Sequence, residues 1–172
     1  MAPFTSITII WSPFHTGIPN RGVGDGPNKL RDAGIVAELQ HLGVDVKQHS
    51  LSQVDEYPGE IGRIFALLRQ TSTAVGEASS RSSFPVILAG NCMTSVGVAC
   101  GLGPESLNLI SFDAHGDLHT PSTTNSGYFD GMGWPILAGD SYQAMAKTIT
   151  GFEVINLGKE AHALWRQGLY GC

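Results

Sequence analysis

Short apolar runs alternate along this chain with longer stretches in which apolar residues recur every three or four positions. Ser6 to Trp11 (SITIIW) is β-branched and closed by Ser12-Pro13, which predicts a buried strand. Val44–Leu51, Phe84–Ala89, Leu107–Phe112 and Phe152–Leu157 predict four more. Between Asn28 and Leu42 the apolar positions Leu30, Ala33, Ile35, Val36, Leu39 and Leu42 trace one helical face, and Gly43 is placed to end it. Glu60–Ala78, Thr94–Leu102 and Tyr142–Thr150 predict further helices, whereas Phe14–Pro27, with four Gly and two Pro, predicts a long loop. Apolar strands alternating with helices predict a mostly parallel sheet covered on both faces, a three-layer α/β/α domain spanning 1–172. Ligands of such sheets bind beyond the carboxyl ends of the strands.

Composition narrows the function classes. Ten basic against fifteen acidic residues give a net charge of −5, and no Lys/Arg run forms a nucleic-acid patch. The acidic balance favours cationic or neutral small molecules. Three cysteines, Cys92, Cys100 and Cys172, are too few and too odd for a secreted disulfide framework. The apolar N-terminal stretch has no charged flank and reads as a strand rather than a leader. With no apolar run of membrane-spanning length, we expect a cytoplasmic, soluble protein.

The residues that carry chemistry follow the fourth predicted strand. Asp113-Ala114-His115-Gly116-Asp117 places three potential ligands at alternate positions, which converge if the backbone stays extended. Two carboxylates and an imidazole suit Mn²⁺, Zn²⁺, Fe²⁺ or Ni²⁺. Taken alone, the pattern also fits two solvated loop carboxylates beside a structural histidine.

The wider context sharpens this. Residues 113–134, DAHGDLHTPSTTNSGYFDGMGW, resemble the arginase (ureohydrolase) family signature, in which Asp-Ala-His-x-Asp precedes Thr-Pro, Thr-Thr-x-Ser-Gly and His-Gly. Residues 22–31 (GVGDGPNKLR) resemble the family's first-helix entry, and 89–97 (AGNCMTSVG) its Gly-Gly-Asp-His-Ser segment. The resemblance is to the N-terminal half of the family. It implies a Mn²⁺ centre whose activated water attacks a guanidine or amidine carbon. It further implies Asp113, His115 and Asp117 as ligands, Asp117 among the catalytic groups, and Ser126 in the substrate loop.

Four departures stand out. Cys92 occupies the place of a ligating His, and Asn91 that of the preceding Asp. Cys92 reads either as a thiolate ligand, which favours Zn²⁺, Fe²⁺ or Ni²⁺ over Mn²⁺, or as an unreactive thiol. Asp130 stands at a proton-shuttling His, and reads as a general acid, a partner for a cationic substrate, or a loop cap. His119 replaces an Asn that contacts substrate, where it still offers a hydrogen bond. His15, in the first loop, reads as a pocket or a surface residue. Fourth, the family's second half supplies an Asp-x-Asp ligand pair and a substrate-binding Glu that this sequence lacks. It also supplies strands between the third and fourth, so this half alone is expected to leave a gap in the sheet, closed by rearrangement, by a homo-oligomer or by a partner chain.

Three functions follow: a ureohydrolase cleaving a guanidino or amidino C–N bond, a metal Lewis acid acting on a carbonyl substrate as a hydratase or cyclase, or a non-catalytic subunit of a longer homologue.

Overall fold

The computed structural model describes residues 4–54, 59–103 and 107–157, and the backbone of 161–165. The SITIIW run forms β1 (Ser6–Ser12), which pairs in parallel with β4 (Val46–Ser50) on one side and β5 (Ser83–Ala89) on the other. Ile10 lies opposite His49 and Ile87 in that register. The expected first loop holds a small antiparallel hairpin, β2 (Phe14–His15) with β3 (Ile18–Pro19), followed by a 3₁₀ turn over Gly22–Asp25.

Consecutive residues of β1 are buried because both faces of the sheet are covered. Ile10 packs with Ala66, Leu67, Ala74 and Val75 of α3 (Glu60–Ser80). Its neighbour Trp11 faces the other way, where the Arg31 guanidinium of α1 (Gly26–Asp32) lies 4.1 Å from the ring centroid. Helices therefore flank the sheet on both sides, and the architecture is the expected α/β type with a mostly parallel sheet. The opposite flank of α3 (Ile64, Phe65, Leu68) joins Val96, Ala99 and Cys100 of α4 (Thr94–Leu102) in the larger core cluster. Gly97 makes that approach possible, since a Cβ there would lie 2.8 Å from the Thr71 Cβ.

Three expectations need correction. The single helix over 28–42 is two, α1 and α2 (Ile35–His41), because Gly34 adopts a left-handed φ of 85° between them. The helix over 142–150 shortens to α6 (Gln143–Ala146), preceded by an unanticipated 3₁₀ turn at Phe129–Met132 and α5 (Gly133–Leu137). The strand over 152–157 does not form. Ile155 instead donates its N–H to the Leu137 carbonyl at 3.0 Å and buries its side chain in the core, and the strand lies further on, as β7 (Ala161–Trp165).

β7 pairs in parallel with β6 (Leu109–Asp113). Among the described residues β6 and β5 share no ladder, so the strands form a three-stranded and a two-stranded parallel group. Among the described residues one face of β6 is also uncovered, with Ile110 and Phe112 64% and 79% exposed.

A candidate metal centre at the strand ends

Two strand ends supply the centre. β5 ends at Ala89, and the turn Gly90-Asn91-Cys92 leads into α4; β6 ends at Asp113 itself. The first turn is fixed by a close backbone crossing, because a Cβ on Gly90 would lie 2.5 Å from both the Gly24 Cα and the Phe14 carbonyl oxygen. Only glycine fits there. Next to the crossing, the Thr16 N–H donates to Asn91 Oδ1 at 2.8 Å, tying the first loop to the turn.

Within this frame one potential ligand atom each of Cys92, Asp113 and Asp117 lies within 4.8 Å of the others. The Cys92 thiol donates to Asp113 Oδ2 at 3.5 Å. Asp117 reaches the group from a left-handed backbone, φ 47°, an uncommon conformation for a residue with a Cβ.

The electrostatics follow from this crowding. Displacement of water and the nearby Asp130, Asp117 and Asp113 carboxylates push the Cys92 thiol up to about 12, even though the residue keeps an exposed edge. Burial, then repulsion from Asp113 and Asp130, raises Asp117 to about 6, with His115 and the Cys92 thiol opposing. Groups that resist ionisation in the same small volume are what a divalent cation relieves.

Asp130 is 7% exposed, and both its carboxylate oxygens are occupied: Oδ1 accepts the Met93 N–H at 2.8 Å and Oδ2 the Cys92 N–H at 3.3 Å. The loop-cap alternative describes this geometry, with an acidic neighbour added to the centre. His115 stands apart. Its side chain is 61% exposed, with Nδ1 3.6 Å from Asp113 Oδ1, and it does not belong to the trio. His119 donates its N–H to the Gly131 carbonyl at 3.1 Å. Ser126 is exposed and accepts the Tyr128 N–H through Oγ at 3.2 Å. Cys100 is buried in the core.

One residue beside the centre, Tyr128, was not singled out from the sequence. Tyr128 stacks obliquely on His15, centroids 6.3 Å apart, and its hydroxyl pKa is raised by burial and by Asp130. His15 itself is half-buried, with a buried Nδ1 that has no partner. The Gly-rich character of the first loop was the available signal, since glycines permit such close approach.

The donor set fits one divalent ion: two carboxylates and a thiol leave room for a further ligand. A second cluster of three potential ligands does not occur among the described residues. Also among them, no helix is long and apolar enough to cross a membrane.

Comparison with known proteins agrees with this fold. The model of the arginase family matches residues 5–160. The Bacillus caldovelox arginase is 30% identical over 138 residues, covering 73% of this chain and 46% of that protein. Arginase-1 of Rattus norvegicus is 32% identical over 140 residues, covering 73% and 42% respectively. The native crystal structure of the B. caldovelox arginase superposes with a TM-score of 0.79 at 25% identity, covering 93% of this chain and 57% of that one. The chain spans about half the length of the curated relatives it matches.

Proposed function

Because this chain belongs to the arginase family, we propose that its strand-end centre binds a divalent metal and serves hydrolysis of a guanidino or amidino C–N bond. The observation that carries the proposal is the convergence of Cys92, Asp113 and Asp117 from two different strand ends. Cys92, Asp113 and Asp117 hold the metal, with His115 a fourth ligand once its exposed ring turns inward. A bound divalent ion supplies Lewis acidity and a water acidic enough to act as a nucleophile near neutral pH.

The protein's own groups do the rest. Asp130 clamps the Cys92-Met93 backbone and keeps the thiol beside Asp113. Asp113, Asp117 and Asp130 give the site a negative field suited to a cationic guanidine or amidine. His119 and Ser126 lie on the adjoining loop, where they offer hydrogen bonds to the distal end of such a substrate. The two free thiols among the described residues are compatible with a cytoplasmic setting.

A second reading, a non-catalytic subunit of a longer homologue or an assembly completed by another chain, is favoured by the edges of β5 and β6 that carry no ladder among the described residues. Elemental analysis of the purified chain, with Asp113→Ala as control, followed by urea or ammonia release from a guanidine panel, separates the readings. Bound metal with product supports the hydrolase. Metal without product, together with co-purification of a longer homologue, supports the subunit. No metal after reconstitution refutes the centre.

A further inference from the structure

We propose that Cys92 makes this centre a one-ion thiolate site that prefers Zn²⁺ or Co²⁺ to Mn²⁺, an inference that rests on the metal-binding reading above. The geometry already approaches coordination. With metal–sulfur and metal–oxygen bonds near 2.3 and 2.1 Å, the edge of a tetrahedron between the two donors is about 3.6 Å. The Cys92 Sγ to Asp113 Oδ2 separation is 3.5 Å. The third donor, on Asp117, lies within 4.8 Å of both, so small side-chain rotations complete a three-ligand face. A fourth position is left open.

The thiol is held rather than free. Asp130 accepts the N–H groups of Cys92 and Met93, Ser95 Oγ donates to the Cys92 carbonyl at 2.8 Å, and the Met93 side chain is fully buried. These contacts fix the backbone on both sides of the sulfur, as outer-shell groups do for metal ligands. The thiol proton bonds to Asp113 Oδ2, and an Asp117 carboxylate oxygen lies within 4.8 Å of both atoms. A divalent ion in place of that proton satisfies all three groups together.

Donor chemistry then sets the preference. Thiolate is a soft ligand suited to Zn²⁺ and Co²⁺, while Mn²⁺ favours sites made of oxygen donors. The single cluster among the described residues offers donors for one ion.

The test is titration of the metal-free full chain with Co²⁺, then competition between Zn²⁺ and Mn²⁺. We expect one equivalent of Co²⁺ with a sulfur-to-cobalt charge-transfer band in the near ultraviolet, a spectrum that decides the matter in the wild type alone. Cys92→Ser should lose the band and narrow the Zn²⁺/Mn²⁺ preference by at least about tenfold. Cys92→His should lose the band but keep binding, and circular dichroism checks that both variants fold. Stoichiometric Co²⁺ without the band, or an unchanged preference in Cys92→Ser, overturns the thiolate inference and leaves the metal centre standing. Two equivalents overturn its one-ion part. No binding of Co²⁺, Zn²⁺ or Mn²⁺ by the folded wild type overturns the metal centre itself, and this inference with it.

Discussion

Replacing Asp117 by Asn should stabilise the metal-free protein at neutral pH while destroying its capacity to bind metal. The Asp117 carboxyl lies among Asp113, Asp130 and the Cys92 thiol, and burial plus those charges raise it from 3.8 to about 6. The folded chain therefore keeps a proton that the unfolded chain releases as pH rises from about 4 to 6. Stability contributed by this group is full below that window, falls as pH climbs through it, and stays lost above. The upper limit from such a shift is about 3 kcal/mol. The side chain is partly open to water, so screening reduces the expected effect to about 1 kcal/mol. In a chain of this size that is about 2–4 °C in Tm. The assay is thermal unfolding of chelator-treated wild type and Asp117→Asn at pH 4 and pH 8. Wild type should lose stability between the two values relative to the variant, the variant should melt higher at pH 8, and the two should nearly coincide at pH 4. A variant destabilised equally at both pH values would refute the reasoning, because packing rather than charge would then dominate the site.

Two further outcomes follow from the packing. Asp130→Asn turns one of two accepting oxygens into a donor facing a backbone N–H, and should cost about 1–3 kcal/mol in urea unfolding while weakening metal binding through the loosened Cys92 turn. Gly97→Ala places a Cβ 2.8 Å from the Thr71 Cβ and 2.9 Å from the Leu68 carbonyl oxygen, and should cost about 1–3 kcal/mol by forcing α3 and α4 apart, with metal stoichiometry unchanged.

Much of the fold was legible because its elements have strong periods. β1 and β5 are near-continuous apolar runs, and α3 repeats apolar residues on one face over five turns. The failures are equally physical. A glycine in a helical pattern is silent about its φ, so the break at Gly34 was invisible. The apolar content of 152–157 reads equally as strand or as an extended strap, and Ile155 uses it for the core instead of a ladder. In the site, Asp113 and Asp117 come together as their spacing suggested, while the His115 ring lies outside the cluster beside Asp113. Convergence of alternate residues requires an extended backbone, and the left-handed turn at Asp117 breaks that condition. The pairing of Cys92 with Asp113 spans 21 residues and depends on sheet geometry that no local pattern encodes.

How the centre forms across strands that do not pair is answered by the 3₁₀ turn at Phe129–Met132. On one side Asp130 grips the turn after β5 through the Cys92 and Met93 N–H groups. On the other, the Gly131 carbonyl accepts the His119 N–H, and an Asp117 carboxylate oxygen lies 3.8 Å from where a Gly131 Cβ would stand. Phe129 and Met132 anchor the turn in the core beside Phe65 and Met93. The turn therefore joins the β5 and β6 strand ends where the sheet does not, and the spacing of Cys92 from Asp113 and Asp117 is set by core packing rather than by a ladder. That makes Asp130 the residue on which assembly of the centre depends, because its carboxylate is the link between the packed turn and the cysteine.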